Sequence, residues 1–295
     1  MKFLNAMSFN DNATQILLKQ LNSLIDDMDM EVIQKALEEG ANYQAITNTI
    51  LSPLALASKQ GHLELCKLLL KYGANPEDRG CSTKPLLYQP PLALAVMGGH
   101  FEIIELLIQF GANLESLDYQ IKTPLALAAS LGEDDICRFL IEKGAQVNME
   151  NSEIKSPLIE AIQHEKWKTA LLLLEAGANP NTLDLIGIPA LSFAVFKKGM
   201  SVSQKLIELG AHVSFPEKEE FSPLWWSITF NPQSVDFFRL LLDNGASMSD
   251  KELFKNKASL CNNNEIINLI QILEEKESLK KTLPQSSEKK NNLRI

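Results

Sequence analysis

The apolar positions of this chain fall into a pattern that recurs. From Thr123 the sequence reads Thr-Pro-Leu-Ala-Leu-Ala-Ala-Ser-Leu-Gly, and from Ile136 it reads Ile-Cys-Arg-Phe-Leu-Ile-Glu-Lys-Gly-Ala. The first stretch is apolar at nearly every position over about two helical turns; the second mixes apolar and polar positions at helical spacing. Thr123 suits a helix cap, and Pro124 suits the first turn, where a missing N–H costs nothing. Gly132 breaks the first helix, and Gly144 stands where a left-handed residue ends the second. A pair of such short helices cannot bury its apolar side alone, so it requires neighbours of its own kind.

The rest of the chain supplies them. Gly-Ala stops begin at Gly40, Gly73, Gly111, Gly144, Gly177, Gly210 and Gly245, at intervals of 33, 38, 33, 33, 33 and 35 residues. The helix-start leucines are Leu54, Leu92, Leu125, Leu158, Leu191 and Leu224, at intervals of 38, 33, 33, 33 and 33. Two independent landmarks share one period and one irregularity, which is the signature of a solenoid. The irregular interval locates an insertion within residues 76–90 that carries Leu86, Leu87 and Tyr88. It is expected to be a tolerated surface loop, since added loop length costs little closure entropy; a contact loop is the alternative.

The unit resembles the ankyrin repeat. Residues 52–75 carry the family's landmarks: Ser52-Pro53-Leu54, Gly61-His62, Leu68-Leu69-Leu70 and Gly73-Ala74-Asn75. The likeness extends from about Asn12 to Ser249 and implies an all-α solenoid of antiparallel helix pairs with projecting loops. There are departures. The family's His after the helix-start Leu is replaced by Ala55, Ala93, Ala126, Ile159, Ser192 and Trp225. Gly187 keeps the loop glycine, but Ile50, Ile121, Ile154 and Glu220 replace it elsewhere. Those loops should turn less ideally, because a side chain resists positive φ. This degenerate style is similar to that of ankyrin proteins from intracellular bacteria, which makes a secreted effector acting on a host protein one expectation.

The ends differ from the repeats, as terminal caps do. Residues 1–51 are assigned to an N-terminal capping repeat and its loop, 52–249 to the repeats, 250–275 to C-terminal cap helices and 276–295 to a disordered polar tail. The tail's Glu274, Glu275 and Glu277 precede Lys280-Lys281. That cluster resembles a bacterial translocation signal, and it equally suits a solvated helix end with i,i+4 pairs.

Composition narrows the function. A formal net charge of -9 argues against a general nucleic-acid binder. No apolar run approaches the ~20 residues that span a bilayer, and no secretory signal is evident at the start. Cys66, Cys81, Cys137 and Cys261 are scattered, so buried thiols in a reducing compartment are expected, with no metal site. No nucleophile elbow, phosphate loop or metalloprotease helix occurs. His62 and His100 hold the family's Gly-His position, where backbone hydrogen bonding at the turn is their expected role. His164 has no Ser, Cys or Asp partner at a telling spacing. The expectation is a non-enzymatic, cofactor-free, monomeric and cytoplasmic protein that binds a partner protein. The alternatives are an enzyme or enzyme subunit with its chemistry outside the repeats, and a cytosolic regulatory inhibitor.

The resemblance also says which side chains face the concave surface. At the ends of the first helices these include Leu131, His164, Phe196, Lys197, Thr229 and Phe230. On the loops they include Tyr119, Gln120, Lys122, Lys155, Leu185, Ile186, Ile188, Lys218 and Phe221. The early half is polar, while the later half gathers apolar and aromatic residues. Contiguous exposed apolar residues mark partner sites, unless the C-terminal cap or tail covers them. Leu185, Ile186, Ile188, Phe196, Lys197, Phe221, Thr229, Phe230, Leu131 and His164 are therefore the expected partner-binding set. Trp225, Trp226 and Trp167 are assigned to packing. Animal ankyrin repeats are hydroxylated on an Asn after the Gly-Ala turn; Asn148 and Asn181 fit that pattern, and shaping the turn is the alternative role.

Overall fold

The computed structural model describes residues 12–21, 29–41, 51–79, 89–149, 153–215, 219–230, 235–248 and 251–282. The chain divides into two units, Met1–Gly210 and Ala211–Ile295.

The first unit is a stack of helix pairs. They are α1 Asn12–Leu21 with α2 Met30–Glu38, α3 Pro53–Gln60 with α4 Leu63–Lys71, and α5 Pro91–Gly98 with α6 Phe101–Gln109. Next come α7 Pro124–Leu131 with α8 Asp134–Glu142, α9 Pro157–Gln163 with α10 Trp167–Glu175, and α11 Ala190–Phe196 with α12 Met200–Glu208. First helices pack on first helices in the order α3, α5, α7, α9, α11, and α8, α10 and α12 line up behind them. This explains the two hydrophobic patterns. α7 lies between α5, α9 and its own α8, so Pro124 through Ser130 are all buried. α8 has one covered face and buries only Ile136, Cys137 and Leu140. The starts form as the sequence predicts: Ser52 Oγ accepts the Ala55 N–H at 3.2 Å and Thr123 Oγ1 accepts the Ala126 N–H at 3.2 Å.

The repeats are also stitched through one register position. The Glu77 carboxylate accepts the Asn113 N–H at 2.8 Å, and Glu115 accepts the Gln146 N–H at 2.8 Å. One and two repeats further on, Asn148 accepts the Asn179 N–H at 2.7 Å, while the Asn148 and Asn181 amides donate to the Gly177 and Gly210 carbonyls at 2.9 and 3.0 Å. Both asparagines thus bridge to the following turn.

The link between the helices of a pair needs one left-handed residue. Gly61, Gly99 and Gly132 supply it, and Glu165 (φ 58°) and Lys198 (φ 61°) adopt it without being glycine. The His100 ring lies over the earlier link. A Cβ on Gly61 or Gly98 would come within 2.6 or 2.4 Å of it, and its Nε2 is 3.3 Å from the Lys59 carbonyl. The backbone role expected of His100 is therefore met. His62 is half-buried, and desolvation, with His100 adding like charge, lowers its pKa.

The second unit holds a 3-10 turn Glu219–Phe221, then α13 Pro223–Phe230 with α14 Asp236–Asp243 and α15 Lys251–Leu260 with α16 Asn264–Thr282. α13 packs on α15. Trp225 stacks edge-on against Phe254 at 6.0 Å. α16 continues to Thr282, so residues 276–282 are helical rather than part of a disordered tail. Lys255 anchors its middle through Glu274 at 2.6 Å. The remainder of the tail, from 283, and the insertion residues 80–88 lie outside the described residues.

A pH dependence follows from His62. Its depressed folded-state pKa means the unfolded chain takes up the proton first, so its contribution is present above about pH 6.5 and is lost as pH falls below it. Urea denaturation midpoints should drop between pH 7 and 5.5, and His62→Asn should flatten that slope.

Candidate functional site

Three successive loops precede α7, α9 and α11, and two of them are built alike. Asp118 Oδ1 accepts the N–H groups of Gln120 and Lys122 at 2.7 and 2.9 Å. One register unit of two repeats later, Asp184 Oδ1 accepts those of Ile186 and Ile188 at 3.0 and 2.8 Å. Each loop also closes with a backbone bond, Asp118 N–H to Lys122 O and Asp184 N–H to Ile188 O. The fourth residue is left-handed in both: Gly187, and Ile121 at φ 60°. A β-branched residue there is a true outlier. Ile121 keeps the turn at a cost in strain, whereas Ile154 is not left-handed.

The loop between them behaves differently. The Lys155 N–H donates across to the Ile121 carbonyl at 3.2 Å, joining two neighbouring loops. The equivalent donor one repeat later, the Ile188 N–H, is turned into its own loop by Asp184. Among the described residues no backbone bond joins the 153–155 and 184–188 loops, and a cleft of about 250 Å³ opens between them. Ile154 lines it from one loop, Ile159 and Glu160 from α9, and Leu183, Leu185 and Ile186 from the other loop. Leu185 is 47% exposed and Ile186 66%.

The polar side of the cleft is a buried ionic cluster. Glu160 Oε2 lies 2.6 Å from Lys122 Nζ, with side-chain exposures of 3% and 7%. Lys122 Nζ is also 3.4 Å from Ser130 Oγ. Lys155 Nζ stands 3.6 Å from Glu160 Oε1 and is a third exposed. The His164 ring, exposed, hydrogen-bonds the Glu160 carbonyl at 2.9 Å through Nδ1, which sits 3.8 Å from Oε2.

This arrangement sorts the expected partner-binding residues. Leu185 and Ile186 line the cleft, while Leu131, His164, Phe196 and Lys197 follow one another at the ends of α7, α9 and α11. Lys197 lies over the Phe196 ring at 5.5 Å and reaches Glu165 at 3.2 Å. Ile188 is corrected: at 8% exposure it is core, and Lys122 at the same register position is buried too. After the left-handed residue the chain turns that side chain toward the helices. Phe221, Thr229 and Phe230 belong to the second unit; the first two are half-buried, and exposed Phe230 packs edge-on against Trp226 at 5.3 Å. Lys218 lies outside the described residues.

Leu183, Lys122 and Glu160 were not among the expected site residues. Glu160 had a signal, since the other first helices carry Leu94, Leu127 and Phe193 at its register position. Elsewhere, burial pushes the Cys66 and Cys137 thiols up to about 12, which leaves them unreactive. Among the described residues no cluster of His, Cys, Asp or Glu could hold a metal ion, and no helix is long and apolar enough to cross a membrane.

Stacked helix pairs with projecting loops and an open cleft define a repeat protein with the ankyrin-repeat fold. The family model described as ankyrin repeats (3 copies) matches residues 54–151 and 92–184. The crystal structure of the human ASB11 ankyrin repeat domain is similar, with a TM-score of 0.55 at 27% identity, covering 68% of this chain and 86% of that one. No curated protein sequence matches the chain.

Two stability predictions follow. Ile121→Gly relieves a left-handed strain of ~1–2 kcal/mol against an added unfolded-state entropy of ~0.4–1 kcal/mol. The net gain should be about 0.5–1 kcal/mol, a rise of roughly 1–4 °C in Tm by calorimetry. Lys122→Met strands the buried Glu160 carboxylate and should cost about 3 kcal/mol in urea unfolding. Adding Glu160→Leu, the residue of neighbouring repeats, should recover most of that loss.

Proposed function

We propose that the chain is a non-enzymatic protein-binding module, and that its partner engages the aliphatic ledge of Leu185 and Ile186 together with Phe196 and the cleft beneath. The observation that carries this is the ledge itself. Two large aliphatic side chains stand about half and two-thirds exposed at a loop tip whose peptide units are fixed by Asp184, beside a cleft the repeats leave open. Contiguous exposed apolar surface of this kind marks interaction sites. A preset loop also loses little conformational freedom when it binds. Leu131, His164 and Lys197 extend the surface at the helix ends. The module works as a monomer in this reading. A role as a secreted effector rests only on the degenerate repeat style and the acidic cluster around Glu274–Glu277, and the binding reading does not require it.

The test is interaction capture with the full chain. Wild type should retain a defined set of proteins, and Leu185→Asp/Ile186→Asp should lose them while keeping the same helical content and Tm within a few degrees. Phe196→Asp should weaken the same set. Identical capture by wild type and the double variant would overturn the assignment of the ledge, and turnover of a substrate by purified chain alone would overturn the non-enzymatic reading.

A further inference from the structure

The cleft says what kind of segment the partner presents, an inference that rests on the binding reading above. Its apolar lining, Ile154, Leu185 and Ile186, suits a bulky aliphatic side chain, and a volume of about 250 Å³ leaves room for the adjoining backbone. The backbone is addressed too. Because Asp184 holds the Ile188 N–H, the Ile154 carbonyl receives no backbone donor among the described residues, so an extended strand laid in the cleft meets an unmatched acceptor.

The charge of the occupant follows from the lysines. Two ammonium groups converge on the single carboxylate of Glu160. Lys122 takes the short contact at 2.6 Å and is sealed inside. Lys155 is held off at 3.6 Å, beyond hydrogen-bonding distance, with a third of its side chain in solvent. Asp184, the other carboxylate lining the cleft, already accepts two backbone N–H groups through Oδ1. The Lys155 ammonium is therefore a charged group at the cleft whose pairing is incomplete, and an incoming carboxylate completes it. We propose that the cleft between the 153–156 and 183–186 loops binds an extended acidic segment of a partner protein, with an aliphatic side chain against Leu185 and Ile186 and a neighbouring Asp or Glu carboxylate on Lys155.

Selection of a random peptide library displayed on phage against the full chain tests this. Wild type should enrich peptides with Leu, Ile, Val or Met within two positions of Asp or Glu. A synthetic peptide of that consensus should lose at least tenfold in affinity with Lys155→Met, which keeps the side-chain stem, and more with Lys155→Glu. Exchanging the peptide's acid for Lys should restore binding to Lys155→Glu. Affinity for wild type should fall as salt rises. Enrichment without an acid preference, or consensus binding indifferent to Lys155→Met, would overturn the proposal while leaving the ledge as a binding site if Leu185→Asp/Ile186→Asp still abolishes capture. No enrichment at all, or self-association through the same cleft by light scattering, would also overturn it. Capture unaffected by the ledge variant would instead bring down the underlying binding reading.

Discussion

Everything in the first unit depends on covering the first helix of each pair. α7 is buried from Pro124 to Ser130 because α5, α8 and α9 leave those residues no face in water. At ~25 cal/mol per Å² of apolar area, an uncovered face of Leu and Ala would erase the stability of a two-turn helix that cannot persist alone in water. Each pair is thus stable only through its neighbours, and each register position carries a fixed demand for size and polarity. The same constraint explains the small residues at the links. Gly98 and Gly61 leave the space that His100 fills, and Gly199 leaves it for Trp167, whose ring would lie 2.4 Å from an added Cβ.

That demand made the fold readable. The caps, the glycine stops and the apolar first helices are local signals repeated several times, so each copy corroborated the others. The site was less readable, because it arises where one repeat departs from the next. Lys122 and Ile188 look like exposed loop residues by position. Their inward turn follows from hydrogen bonds of Asp118 and Asp184 to amides two and four residues on, together with a left-handed fourth residue. The cleft has the same origin. Lys155 donates to the neighbouring loop, but Ile188 donates within its own, and no local pattern announces that choice. Nor does sequence alone say that Ile121 accepts the strain that Ile154 avoids.

Glu160 was the readable exception. A carboxylate in a row of Leu and Phe must find a cation or lose its charge, since an unpaired ion in the interior costs several kcal/mol. Its partners come from two different loops, Lys122 from one and Lys155 from the next. The pairing therefore fastens two successive loops to α9. Replacing it with apolar side chains would serve stability nearly as well. What the ionic cluster adds is a fixed position for charge beside an otherwise aliphatic cleft.

In the proposed binding mode the ledge and the cluster divide the work of recognition. Leu185 and Ile186, 47% and 66% exposed, forgo a corresponding part of the roughly 1.5–3 kcal/mol per side chain that full burial would contribute. The fold tolerates this because the Asp184 carboxylate fixes the amides of Ile186 and Ile188, so the tip cannot fold back to bury them without breaking two bonds to a charged acceptor, each worth about 1.5–3 kcal/mol. The two quantities are comparable, which is the condition for a loop that stays extended yet gains on contact. A partner that covers the ledge recovers the apolar term with the loop already in place. Discrimination among such partners then falls to the polar side, where Lys155 is set at a fixed distance from Glu160. In that proposal apolar area supplies the attraction, and the position of one ammonium group supplies the choice.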